Sequence, residues 1–361
     1  MFTVIIFLLV LAVLIFVHEL GHFLAARLFG IRVDAFKLGF GPKVFAWTRG
    51  ETEYGINLIP FGGFVKIFGE NPDDESTHGP DAKRSFVHKA KWKQITVLAA
   101  GVFFNFVFAW LLYIITFVGG VTATTSGFEQ YADRFENPRV MVSFVSPNSP
   151  AEKAGLKLGD IIKNVGTAKS VEEIQNYVNS SQGKPVEVDL ERKGQDVHVN
   201  ISPTQGLVEG KYAMGIAMEN VGDLKLPFFA AIKEGTNYFG VMFAGTAGGL
   251  WDFFSSIFKG TANFSEVSGP VGIATIVGDS ARLGATYLMM ITALISINLG
   301  IINLVPFPAL DGGRIFFILI ESIIRRRIPV KFANTVNAVG FALLMLLMVV
   351  VTYKDVVKLI W

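Results

Sequence analysis

Cysteine is absent from the 361-residue chain, which excludes disulfides, thiolate zinc sites and a cysteine nucleophile. A metal in this protein must therefore be held by His, Asp, Glu or water. Charge is scarce as well: 17% of the residues are Asp, Glu, Lys or Arg, where soluble domains carry roughly 25%. The net charge of +2 is too small to suggest a nucleic-acid partner. Lys and Arg are missing from the first 17 residues, and no small-residue cleavage site follows them. MFTVIIFLLVLAVLIFV is therefore expected to be a retained helix and not a signal peptide.

What the chain has instead is apolar length. About half of it is hydrophobic, 51%, and four stretches reach the roughly 20 residues that a bilayer requires of a helix. They are 2–24, 95–118, 285–306 and 333–352. A fifth, 239–258, is rich in glycine and carries Asp252. Lys and Arg mark the inner side of a membrane. They crowd between residues 27 and 93 and recur in Arg325-Arg326-Arg327 and Lys331. Four spans put both basic segments inside, with the N-terminus and the residues after 118 outside. A fifth span at 239–258 would misplace the second basic cluster, so 224–284 is expected to be amphipathic and interfacial.

The fold class expected is thus a polytopic α-helical membrane protein with four transmembrane helices. Residues 1–118 hold the first two, joined by a loop whose stretch 35–70 alternates apolar residues around Gly-rich turns, the pattern of a membrane-associated β-hairpin. Residues 119–223 form an α+β insert with its core at about 140–218, and 285–361 hold the last two spans. Within the insert, SPAEKAGLKLGDII resembles the short helix and strand of a PDZ domain of the bacterial protease type, and YAMGIAM at 212–218 could supply its carboxylate-binding loop. An unrelated small α+β domain is the alternative, because a motif match is a hypothesis.

The first span is interrupted by His18-Glu19-Leu20-Gly21-His22. Ionisable residues within a membrane helix are costly and need a polar partner. Two imidazoles four residues apart lie on one helical face and can share a zinc ion, which leaves Glu19 free as a general base. Such a motif also arises by accident in soluble helices; an apolar span makes accident the weaker reading. His78, His88 and His198 are expected to be ordinary surface residues.

A catalytic zinc takes three protein ligands. His18 lies about 25 Å along a helix begun at residue 1, near the inner end of that span, so a third ligand is sought at the same depth. Asp311 in NLVPFPALDGGR follows the third span as it emerges on that side. Pro306 and Pro308 prevent a regular helix before it, and Gly312-Gly313 loosen the chain after it. The plainer alternative is a kinked span end with a surface aspartate.

These motifs together resemble the site-2 protease family of intramembrane zinc metalloproteases, and within it the bacterial regulator-of-sigma-E protease branch. The likeness runs over nearly the whole chain: HELGH, GFGP at 39–42, PFGGFVKIFGE, AAGVFFNF in the second span, SGPVGIA at 268–274 and SINLGIINLVPFPALDGG at 296–313. The resemblance implies His18, His22 and Asp311 as zinc ligands and Glu19 as catalytic base. It implies Asn298 and Asn303 as polar residues of the substrate cleft, and the loop around Gly62 and Gly63 as a β element beside the substrate. It also implies single-span membrane proteins as substrates, such as anti-sigma factors or signal-peptide remnants, and a bacterial inner-membrane location with the PDZ-like domain outside and the active site near the cytoplasmic side. The PDZ-like domain could bind a peptide C-terminus or exclude bulky substrates. Two features differ from the family pattern: Gly101-Val102 stands where Gly-Pro is common, and one PDZ-like domain stands where the best-known enterobacterial members have two.

Two other classes compete. A catalytically silent scaffold that gathers partners through its PDZ-like domain has no use for the His18, Glu19, His22 and Asp311 set. A metal transporter is expected to show inverted repeats or several polar sites along its helices, and this chain has one polar cluster at one depth.

Overall fold

The computed structural model describes the chain apart from residues 193, 209, 262–268 and 361. In chain order the elements are α1 (Phe2–Leu28), β1 (Val33–Arg49), β2 (Thr52–Ile67), α2 (Asp74–His78), α3 (Lys91–Gly119), β3 (Val121–Thr124), β4 (Phe135–Val145), α4 (Pro150–Lys153), β5 (Ile161–Val165), α5 (Val171–Ser180), β6 (Val186–Arg192), β7 (Gln195–Ile201), β8 (Thr204–Val208), β9 (Lys211–Ala213), β10 (Ile216–Leu224), α6 (Phe228–Phe258), α7 (Pro270–Leu283), α8 (Ala285–Leu304), α9 (Asp311–Ile324) and α10 (Val330–Ile360). They fall into two compact units, 1–115 with 232–361, and 116–231.

In the first unit, α1, α3, α8 and α10 are long and apolar enough to cross a membrane, and the chain is a membrane protein. These are the four stretches expected from hydropathy. Gly101-Val102 does not interrupt α3, which runs unbroken past both residues, with Val102 buried.

The 224–284 segment differs from a helix lying apart at a surface. In α6 the residues Tyr238, Phe239, Met242 and Phe243 form one helical stripe. It packs on Ala109, Leu112 and Tyr113 of α3 and on Ala293 and Ile297 of α8. Trp110 Nε1 donates to Thr236 Oγ1 at 2.9 Å. The physical reason is a small residue at the crossing: a Cβ on Gly235 would stand 2.9 to 3.1 Å from Ile114 atoms, so α6 approaches the α3 backbone directly. In α7, Val277 packs with Val10 and Leu14 of α1, and Asp355 of α10 accepts from Gly272 N–H at 2.7 Å. Ser268, the first residue of the SGPVGIA motif, lies outside the described residues.

β1 and β2 form a sheet of their own that folds back on itself. Residues 35–38 pair with 63–66 on one side and with 53–56 on the other, while 43–49 closes a hairpin with 52–57. Among the described residues the stretch 63–67 therefore has a strand neighbour on one side only. Its other edge has no strand partner, and the Val65 backbone amide is turned to the Glu19 carboxylate. Val33, Phe36, Val65 and Ile67 bury one face of this sheet against Ala26, Val97 and Leu98, which fixes the sheet to α1 and α3.

The second unit is built on a six-stranded sheet in the order β3-β10-β4-β5-β6-β7. Val140, Val142, Ile162, Val188 and Leu190 form its core with Ile174 and Val178 of α5. The helix of VEEIQNYVNSS starts at a capping box between Ser170 and Glu173, a local signal readable in sequence. β10 pairs with β4 along its length but with β3 only over 221–224.

Candidate metal centre and active site

His18, Glu19 and His22 sit in one turn of α1. The two imidazoles meet edge to face with centroids 4.8 Å apart. What surrounds them is decided by the crossing of α1 and α3. A Cβ on Gly21 would stand 2.3 Å from the Ala100 carbonyl oxygen, and one on Gly101 would stand 2.4 Å from His22 Nε2. Only glycine at both positions lets the helices approach this closely. The approach brings the Val97 carbonyl oxygen to 2.9 Å from His22 Nδ1. A carbonyl only accepts, so Nδ1 carries a proton, and in the neutral ring Nε2 is the bare nitrogen.

Asp311 reaches the same point from α9. Between the end of α8 and the start of α9 the chain turns so tightly that a Cβ on Gly312 would stand 2.4 Å from the Leu304 oxygen, and one on Gly313 2.2 Å from the Phe307 oxygen. Ala309, in the turn, has φ of 76°, a conformation that costs about 1 kcal/mol or more in a residue with a Cβ. Asn337 of α10 holds it there, its Oδ1 accepting from Ala309 N–H at 3.2 Å.

Asp311 Oδ2 then lies 3.1 Å from His18 Nε2 and 3.4 Å from His22 Nε2, and the two Nε2 atoms are 3.2 Å apart. Ligands at the corners of a tetrahedron with metal bonds of 2.0–2.1 Å are about 3.3 Å apart. The three separations match that edge. Asp311 Oδ2 is buried and, among the described residues, has no partner besides these two rings. Among the described residues this is the one group of three His, Asp or Glu side chains with donor atoms converging within 4.8 Å. The donor set fits a zinc ion with one position left for water.

Glu19 opens with this group into a cleft of about 740 Å³ whose wall includes residues 63–67. Gly63 lies against α1, where a Cβ would be 2.8 Å from Ile15 Cγ2 and 3.5 Å from Glu19 Cγ. The unpaired strand edge is thus beside the proposed base. Gly62, with φ of 95°, lies within β2 just before that stretch and does not itself line the cleft. Asn298 and Asn303 are on α8 and are not among the lining residues; Asn298 Nδ2 donates to the Leu294 carbonyl of its own helix at 2.9 Å. In the cleft wall, Arg314, three residues after Asp311, pairs with Glu70, three residues after the end of β2, joining two of the sequence motifs. His78, His88 and His198 lie elsewhere, each with a local partner in Asp74, the Ala82 carbonyl and Asp189.

A family model described as peptidase family M50 matches residues 6–347. The chain belongs to peptidase family M50. This is the site-2 protease family, and its members are zinc-dependent. Relatives cover almost the full length of the M50 chain. A Clostridium perfringens protein is 40% identical over 97% of each chain. One from Clostridium acetobutylicum is 33% identical over 99% of this chain and 98% of its own, and one from Rhizobium meliloti 30% identical over 98% and 96%. All three are named, provisionally, as zinc metalloproteases.

Three residues of this M50 site escaped the sequence reading of its chemistry: Asn337, Arg314 and Asn105. The first two are polar residues near span ends, where polar residues are ordinary. Asn105 carried a usable signal, because it is an amide in the middle of the apolar run AAGVFFNFVFAWLL and polar groups at such positions need a reason.

Proposed function

We propose that the chain is an intramembrane zinc metalloendopeptidase that cuts single-span membrane proteins within or near the bilayer. The observation that carries this reading is the convergence of His18, His22 and Asp311 beside Glu19, in one cleft with an unpaired strand edge. His18, His22 and Asp311 are the metal ligands. A zinc ion bound there supplies a Lewis acid for the scissile carbonyl and a water of lowered pKa.

The rest of the chemistry belongs to the chain's own groups. A transmembrane helix hides its amides in internal hydrogen bonds, so the segment to be cut must first unwind. The edge at 63–67 holds the unwound segment extended by main-chain pairing, as in β-augmentation. Glu19 takes a proton from the attacking water and returns it to the leaving amine. Asn298 and Asn303 are proposed to meet the peptide on α8; since neither lines the cleft, that contact requires the peptide to lie along this helix. The cut lies near the inner face of a bacterial cytoplasmic membrane, because His18 is close to the C-terminal end of α1 and the basic segments flank the site. Anti-sigma factors and signal-peptide remnants fit the substrate class.

The test is cleavage of a tagged single-span protein by the purified full-length chain in liposomes, with zinc content measured on the same sample. Zinc is expected at one equivalent per chain, and a zinc chelator is expected to abolish cleavage, with activity restored by added zinc. A metal-free protein that cleaves equally well would overturn the reading.

The second unit is proposed to be a PDZ-like domain on the outer side. The edge of β10 over 216–219, beyond the reach of β3 and of the Thr125–Asn220 bond, is its peptide-docking strand, and the turn at Met214 and Gly215 just before it is the carboxylate loop. A peptide ending in a free carboxylate is expected to perturb amide resonances or hydrogen exchange in 214–220 and α5, whereas its C-terminal amide should not. Equal effects of the two peptides would leave a size filter as the role of this unit.

A further inference from the structure

The His22 ring is oriented by a backbone carbonyl; among the described residues no carbonyl serves the His18 ring. Its Nδ1 faces the side-chain amide of Asn105 on α3, 3.1 Å from the atom placed as Nδ2. Asn105 is fully buried, and in this placement its Oδ1 has no partner at all. The oxygen and nitrogen of an asparagine amide are told apart only by their hydrogen bonds. The chemistry on the other side of the ring decides between them. If Nδ2 donated to His18 Nδ1, the ring proton would sit on Nε2, pointing at His22 Nε2 and Asp311 Oδ2, and no lone pair would be left for a metal. If the amide is turned by half a rotation, Oδ1 accepts from His18 Nδ1–H and Nε2 is bare, like that of His22.

The position of Asn105 is held independently of its side chain. Its own carbonyl oxygen accepts from Ser296 Oγ of α8 at 2.8 Å, and Ser296 is fully buried. The α3 backbone at this level is thereby tied to the helix that leads into the Asp311 turn. Burial of an amide in an apolar span, one of its atoms facing a histidine and the other unserved, is a costly arrangement. It is explained if the amide is kept for the histidine.

We propose that Asn105 is a positioning residue whose amide oxygen accepts the His18 Nδ1 proton and so keeps His18 Nε2 free for the metal. The proposal rests on the reading of His18 as a zinc ligand. Partners of this kind fix the tautomer and ring orientation of metal-bound histidines, and their loss typically weakens metal binding about 10- to 100-fold.

The experiment compares wild type, Asn105→Leu and Asn105→Asp as full-length proteins in detergent. It measures zinc affinity by chelator competition and the melting temperature of the metal-free forms. Asn105→Leu keeps the shape and removes the acceptor, and is expected to bind zinc about 10- to 100-fold more weakly. Asn105→Asp keeps an acceptor and, ionised, has no proton to donate; it is expected to bind zinc at least as tightly as wild type. A merely structural asparagine would lower the metal-free melting temperature in both variants and leave zinc affinity alone, which overturns the proposal. Weakened zinc binding in Asn105→Asp equal to that in Asn105→Leu also overturns it, because the amide would then be acting as a donor. Should Asn105→Leu fail to fold, Asn105→Ala takes its place as the variant without an acceptor, with the same loss of zinc affinity expected and unchanged affinity overturning the proposal. Wild type without zinc affinity would remove the ligand reading of His18 and this proposal together, whereas zinc-binding wild type with an unaffected Asn105→Leu would remove this proposal alone.

Discussion

Glu19→Gln abolishes most of the cleavage of a single-span substrate and leaves the zinc content unchanged: this is the expected result with the largest effect on activity. The glutamate lies between the two histidines in sequence, but its carboxylate is not part of the converging group formed by His18, His22 and Asp311. Gln keeps the size of the side chain and its place in the cleft while removing the ability to take a proton. A positioned acid or base contributes roughly 10²- to 10⁴-fold, and the loss should appear in turnover and not in substrate binding. The measurement is single-turnover cleavage in liposomes beside metal analysis. Cleavage at near wild-type rate would show that another group handles the proton. Loss of zinc along with activity would show that Glu19 builds the site instead of working in it.

Gly101→Ala is expected to have the largest effect on the metal centre itself, although Gly101 has no side chain to bind anything. A methyl group at this position would stand 2.4 Å from His22 Nε2 and 2.9 Å from His18 Cε1. Both contacts are shorter than any real carbon tolerates, so either the histidines turn away or α3 separates from α1. Overpacking of this kind costs about 1–3 kcal/mol, and at the upper end that is a loss of about 10²-fold in zinc affinity. Separation of the helices would also take Val97 away from His22 Nδ1, so the two routes reinforce each other. Chelator competition measures the affinity, and far-ultraviolet circular dichroism checks that the helices persist. Zinc binding at the wild-type level would mean that α1 and α3 do not cross here.

Both results follow from the same division of labour in the chain. The four spans and HELGH are local patterns: a run of apolar residues is a span because of its length, and histidines four apart share a face because of the helical repeat. Asp311 could be reached from the sequence because charge bias fixes which ends of the spans meet on one side. The strands and helix of the second unit were readable from alternation and from the Ser170 and Glu173 capping box. In each case the physical cause acts between residues close along the chain, or acts on a whole span at once.

Tertiary structure alone decided the rest, because the partners are far apart in sequence. The double pairing of 35–38 with 53–56 and with 63–66 leaves 63–67 as an edge beside Glu19, and no alternation pattern announces which stretch is left unpaired. The stripe of α6 that packs on α3 and α8 is apolar enough to suit either a surface or a helix neighbour, and Gly235 against Ile114 settles it through a contact 121 residues away in the chain. Gly21 in HELGH reads as a filler position until Ala100 is set against it. Asn105 stands 87 residues from His18. The sequence by itself singled out the side chains of the candidate metal centre; the packing of α1 on α3 determined how close they stand and which nitrogen of each histidine faces Asp311, because helix separation and hydrogen-bond partners are properties of the assembled helices and not of either one alone.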